Sequence, residues 1–252
     1  MGLAWIDALV FTSVWVAAVA GALCAASALA MGAQPPLDAM GLAAAGTLVV
    51  YNIDRLRDLQ RDFATTPERS AFIARHAAAL RALTVVSVLA AAGFVFSMGW
   101  RVVALLAPVL LLGLFHRRLK YIPFSKPAYI TFAWVVVVVG LPVLVAERVE
   151  NVFTVVCVNS LSIAANIIAS NLRDDETAEH VLPPAVSLRI ARGLAAIGVV
   201  VALSDGPSIR PLALVPLLTA GALLRRDIGE RYGMVVVDGA LLAGAVGAIA
   251  LS

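Results

Sequence analysis

The chain has 252 residues, of which 62% are hydrophobic and 14% charged, and its mean hydropathy is +0.95. That apolar excess excludes a soluble globular domain and leaves a membrane protein. The net charge of +3 does not indicate a nucleic-acid partner, and the two cysteines, Cys24 and Cys157, have neither a metal-ligand spacing nor a reason to pair.

Nine apolar segments follow one another, at roughly 8–31, 37–55, 80–98, 102–116, 127–146, 152–171, 187–204, 211–225 and 233–251. Each approaches the ~20 residues that a membrane-spanning helix needs. The expected fold is all-α: a polytopic, multi-pass membrane protein with nine transmembrane helices in one integral domain over 1–252. The first segment is too long for a cleaved leader and lacks a basic flank. Pro35-Pro36 breaks the chain before the second. Loops alternate in length and charge. If the N-terminus is cytoplasmic, cytoplasmic loops and span ends hold sixteen of the nineteen Lys and Arg, and only Arg101, Arg148 and Arg210 lie outside. That is a positive-inside pattern. A bacterial inner membrane is the expected location.

The second segment runs into Tyr51-Asn-Ile-Asp-Arg-Leu-Arg-Asp-Leu-Gln-Arg-Asp62. Asp54, Asp58 and Asp62 are spaced i, i+4, i+8, which puts three carboxylates on one helical face with a drift of about 40° per step. Like charges so placed repel unless cations sit among them. A solvated, salt-bridged helix end is the plain alternative to a metal site.

Between the fourth and fifth segments lies His116-Arg-Arg-Leu-Lys-Tyr-Ile-Pro-Phe-Ser-Lys126. This basic loop either touches anionic lipid or supplies Lys120 or Lys126 to neutralise a phosphate. The sixth segment carries Asn159, Ser162, Asn166 and Ser170 as one helical stripe. Polar stripes in spans face protein or a watered cavity, so interhelical hydrogen bonds compete with a cavity leading to a site. The stripe ends in Asn171-Leu-Arg-Asp-Asp-Glu-Thr177. Asn171, Asp174 and Asp175 can share a helical face, while Arg173 is placed to meet an anion. Both acidic clusters fall on the cytoplasmic side. Their oxygen-only donor sets suit Mg²⁺ with substrate phosphates.

Two acidic motifs four spans apart, with a basic Tyr-Pro-Lys loop between them, resemble the UbiA superfamily of intramembrane prenyltransferases. That family's first motif is NDxxDxxxD. Asp58 and Asp62 match its last two aspartates, Asp54 stands for its Asn and Arg55 for its first Asp. Tyr121-Ile-Pro-Phe-Ser-Lys126 resembles YPxxKR with one inserted residue and Pro127 in place of Arg. Asn171 to Ala178 looks like the N-x-R-D-x-E-T-D form of the second motif, with Ala178 where the second aspartate belongs.

The resemblance implies a UbiA-like bundle around a central cavity open to lipid. It implies a magnesium-dependent enzyme of the membrane acting on an isoprenyl (prenyl) diphosphate. Asp54, Asp58, Asp62, Asp174 and Asp175 would hold Mg²⁺. Asp58, Asp62, Asp174, Lys126 and Tyr121 would be catalytic, and Arg173, Lys120, Asn166 and Asn171 would bind substrate. Tyr129, Phe132, Trp134 and Phe153 are candidates to stabilise an allylic cation. The implied reaction is transfer of the prenyl group to a lipophilic acceptor. A UbiA-type terpene cyclase, which closes the isoprenoid cation on itself to a cyclic terpene without an acceptor, is the alternative. A non-catalytic transporter is a third class. It is disfavoured because the acids sit at span ends and the spans are not visibly broken at matching positions.

Overall fold

The computed structural model describes residues 4–119, 125–173, 182–225 and 228–252, and all regular structure among them is helical. In chain order the helices are α1 (Ala4–Phe11), α2 (Val14–Ala30), α3 (Leu37–Asp62), α4 (Pro67–Arg75), α5 (Ala77–Met98) and α6 (Trp100–Leu119). Next come α7 (Ser125–Val145) and α8 (Val152–Arg173). They are followed by α9 (Pro184–Ser204), a 3₁₀ turn (Arg210–Ala213) leading into α10 (Leu214–Ala222), and α11 (Glu230–Leu251). Helices α7 and α11 each contain one π-helical turn, Val136–Gly140 and Gly233–Val237.

Five of these helices are long and apolar enough to cross a bilayer: α5, α7, α8, α9 and α11. The broken pair α1–α2 makes a sixth if it is one span. The nine spans expected from hydropathy are therefore not all matched by helices of spanning length. The apolar stretch of α6 is Trp100–Phe115, and the eighth segment shortens to Arg210–Ala222. In α3 the charged motif is part of the same 26-residue helix. Asp, Arg, Leu and Gln all propagate a helix, and no proline intervenes before Pro67, so nothing stops α3 at the membrane edge.

The expected unbroken first span is also corrected. At Ser13 the chain adopts φ 65°, and α1 meets α2 at 70°. A break at this depth frees carbonyls that must find donors. Arg55 of α3, buried, donates from Nη1 to Val10 O (3.2 Å) and Phe11 O (2.8 Å). Ser13 Oγ donates to Asn52 Oδ1 at 2.7 Å. The residue that departs from the family motif, Arg55, thus ties the elbow to α3.

The core is assembled from small and β-branched side chains. One cluster joins α2, α7, α8 and α11 through Leu23, Val138, Val158, Ile163 and Leu241. A second joins α8, α9 and α10 through Ala165, Ala191, Ala195 and Leu223. Alanine and glycine let backbones approach closely, the usual means of packing helices in lipid. Cys24 is buried and Cys157 half-buried, and both are free thiols.

The helices alternate in direction, so the bundle has a charged end and an opposite end. The opposite end is closed by Glu150 N–H to Met31 O (3.0 Å) and by Thr154 Oγ1 to Asp205 Oδ2 (2.6 Å). The C-termini of α3 and α8 both lie at the charged end, where α3 meets α4 and α8 packs on the π-helical turn near the start of α11.

Candidate active site at the charged end

Along α3 the last two aspartates turn further inward than the first. The Asp54 side chain is 57% exposed, while those of Asp58 and Asp62 are 25% exposed. This is the 40° drift of a 3.6-residue helix made visible: the face that holds buried Asn52 and Arg55 lies nearer to Asp58 and Asp62 than to Asp54. Cationic groups do sit among the carboxylates, and in this structure they are guanidiniums. Arg57 bridges Asp54 (2.8 Å) and Asp58 (3.3 Å), and Arg69 of α4 reaches Asp62 (3.1 Å).

Arg69 was not marked by the sequence, because it lies beyond the motif in a short helix not expected there. It is buried; its Nη2 also donates to Thr66 Oγ1 at 2.8 Å, and its own backbone N–H donates to Glu230 Oε1 at 3.0 Å. Among the described residues its Nε has no hydrogen-bond partner. Arg231 of α11 continues the network to Asp7 (2.9 Å) and Glu68 (3.4 Å). The charged end therefore links α1, α3, α4 and α11.

The donor chemistry of α3 fits Mg²⁺, since it offers hard carboxylate oxygens and neither thiolate nor imidazole. Among the described residues no three Asp, Glu, His or Cys side chains come together as a group able to hold a metal ion. The expected Mg²⁺ site also draws on the second motif. Asp174 and Asp175 lie outside the described residues, as do Lys120 and Tyr121. Arg173 is the last residue of α8, so the second motif leaves the bundle at the same end as the first. Lys126 is in the first turn of α7, at that end too.

Two of the four residues of the polar stripe of α8 bond neighbouring helices, and a third bonds its own backbone. Asn159 donates to Ser27 Oγ of α2 at 3.2 Å, Ser162 to Val158 O at 2.7 Å, and Asn166 to Asp238 Oδ1 of α11 at 2.9 Å. Asn159 and Asn166 thus make interhelical bonds. Asn171 is half-buried one turn further on. Asp238 is a second residue that sequence reasoning missed. Its signal was present: it is an acid inside the last apolar segment.

The candidate aromatics separate. Trp134 meets Tyr51 edge-on at 6.5 Å, and Arg55 lies 6.0 Å from the same Tyr51 ring. Phe132 lines an apolar cavity of about 520 Å³ between α6, α7 and α8. Phe153 is 80% exposed at the opposite end, away from the charged residues.

Fold and composition together define an integral membrane protein built as an all-helical bundle. No protein-family model matches the chain, and no curated protein matches it. Among solved structures it is similar to one concerned with digeranylgeranylglyceryl phosphate synthase in membranes. The TM-score is 0.52 and the identity 16%, over 96% of this chain and 98% of that one. At that identity the likeness establishes the shared fold alone.

Proposed function

We propose that the protein is an intramembrane prenyltransferase that ionises an isoprenyl diphosphate and passes the prenyl group to a lipophilic acceptor. The observation that carries this reading is the convergence of both motif-bearing helices, α3 and α8, on one charged end of a bundle shared with a membrane synthase. In this reading Asp58 and Asp62, with Asp174 and Asp175 from the second motif, hold Mg²⁺, and Asp54 serves from the rim. Bound there, Mg²⁺ would neutralise the diphosphate as negative charge develops on it.

The protein's own residues do the rest. Arg69 offers a buried guanidinium N–H to a phosphate oxygen; a fixed cation in a dry site favours the departing charge. Lys126, in the first turn of α7, and Arg173, the last residue of α8, would meet the diphosphate in this reading. The apolar cavity begins beside Ala128 and continues to Val143 along α7. Fifteen residues of helix are about 22 Å, which accommodates an isoprenoid tail and keeps its cation from water.

The direct test is diphosphate release from geranyl, farnesyl and geranylgeranyl diphosphate with Mg²⁺, by purified protein in detergent. Asp58→Ala is expected to lower release at least 100-fold while melting within a few degrees of the unmodified protein. Substantial residual turnover in that variant would remove Asp58 from the reaction. Omitting the acceptor separates the two chemistries. Release that waits for a phenol, quinone precursor or second isoprenoid establishes transfer. Rapid release with a cyclic product establishes the cyclase.

A further inference from the structure

The apolar cavity of about 520 Å³ is lined chiefly by α7, and its lining follows that helix in steps of four: Ala128, Phe132, Val136 and Gly140. An α-helix turns about 40° past a full circle in four residues. Three such steps would carry Gly140 about 120° away from the face of Ala128. The π-helical turn Val136–Gly140 takes up part of that drift, because each of its turns holds more residues. The face of α7 that meets the cavity near the charged end therefore still meets it at the far end. Such turns concentrate at functional sites.

Gly140 is where this face meets α6. A Cβ there would stand 3.3 Å from Leu105 Cδ1 and 3.4 Å from Leu105 Cδ2, and both residues line the cavity. Glycine weakens a helix interior; here its missing side chain leaves the space beside Leu105 open. Among the described residues no charged side chain lines the cavity, which suits a hydrocarbon chain.

Distances along α7 give that chain a length. The cavity starts at Ala128, two residues past Lys126 in the first turn of α7, near the charged end. Gly140 is about 18 Å further along the helix, and Val143 about 22 Å. An extended isoprene unit adds four carbon–carbon bonds, about 5 Å. Two units entering at Ala128 end between Phe132 and Val136. The fourth unit covers about 15–20 Å, the level of Gly140.

We infer that Gly140 and Leu105 set the length of the tail: the cavity holds four isoprene units, and the fourth lies beside these two residues between α6 and α7. That orientation of the tail rests on the prenyl-transfer reading, which puts the diphosphate at the charged end.

The test places a single cysteine at either end of the cavity, Ala128→Cys or Val143→Cys, in the full-length protein lacking Cys24 and Cys157. Labelling by N-ethylmaleimide in detergent is timed with Mg²⁺ and the geranyl, farnesyl or geranylgeranyl thiolodiphosphate, whose bridging sulfur resists ionisation. All three are expected to slow labelling at Ala128→Cys. Only the geranylgeranyl analogue is expected to slow it at Val143→Cys, at least fivefold. Gly140→Leu, or Leu105→Phe from the other side, is expected to abolish protection at Val143→Cys and keep it at Ala128→Cys. Adding Leu105→Ala to Gly140→Leu is expected to restore it. Equal protection of Val143→Cys by all three analogues, or by none, would overturn the assignment. So would protection there by added phospholipid alone, which would give the cavity to a bilayer acyl chain. Diphosphate release is measured separately on the protein with natural substrates. Release without length-dependent protection would sink the length assignment and leave prenyl transfer standing. Length-dependent protection without release would do the reverse.

Discussion

Two arginines spend their charge on backbone carbonyls, one of them at a position that departs from a motif. Arg55 stands where the resembled family has an aspartate. It spends its charge on the carbonyls of Val10 and Phe11, at the break between α1 and α2. Arg192 does the same for α10, donating to Leu223 O, Leu224 O and Arg225 O at 2.6, 3.0 and 3.1 Å. Cations at a helix C-terminus are favoured by the exposed carbonyls and the dipole.

At the opposite end, Asp205 accepts from Thr154 Oγ1 (2.6 Å) and Gly206 N–H (2.7 Å), and these bonds hold its carboxyl below the usual carboxylate range. A depressed carboxylate contributes stability that is present above the unfolded value of about 3.9 and lost as pH falls through the folded value. Thermal unfolding of the protein is therefore expected to worsen as pH drops from about 5 toward about 3. Asp205→Asn is expected to flatten the part of that slope due to this clamp. An unchanged slope in the variant would assign the acid sensitivity elsewhere.

Among the elements, helix–helix distance is set by residues that lack side chains. A Cβ on Gly244 of α11 would fall 2.5 Å from Val215 Cα and 2.8 Å from Leu214 O of α10. Both neighbours are backbone, so no rotamer change relieves the clash. Gly244→Ala is expected to cost about 1–3 kcal/mol, read as a fall in melting temperature in detergent. A variant that melts with the parent protein would show that α10 moves freely against α11. The same scale shows what hydropathy alone does not. A window sees apolar content, and it does not see that α1 and α2 are separated by a left-handed residue, or that the eighth segment spends four residues in a 3₁₀ turn.

For the molecule as a whole, charge is sorted by end, and the sorting implies an orientation. By the positive-inside rule the charged end is expected on the cytoplasmic side. Single cysteines at exposed Thr65 and Ser208, in a background lacking Cys24 and Cys157, are expected to react with an impermeant maleimide from opposite sides. Thr65→Cys should be labelled from the cytoplasmic side. Labelling of both from one side would break the alternation on which the site's sidedness depends.

Much of this was legible in the residues themselves. Apolar runs separated by turn signals fixed an all-helical membrane chain, since a backbone in lipid must satisfy its hydrogen bonds locally. The i, i+4, i+8 spacing of Asp54, Asp58 and Asp62 fixed their shared helical side, because α3 continues through them. Local periodicity carries that information without any partner. Tertiary structure alone decided which of those carboxylates turns inward, that Arg69 of α4 meets Asp62, and that Asn166 finds Asp238 across 72 positions of sequence. Those outcomes depend on how helices from distant parts of the chain lie against one another. Helix packing is settled by shape and by the matching of buried polar groups, and neither is written in the order of residues along any one helix.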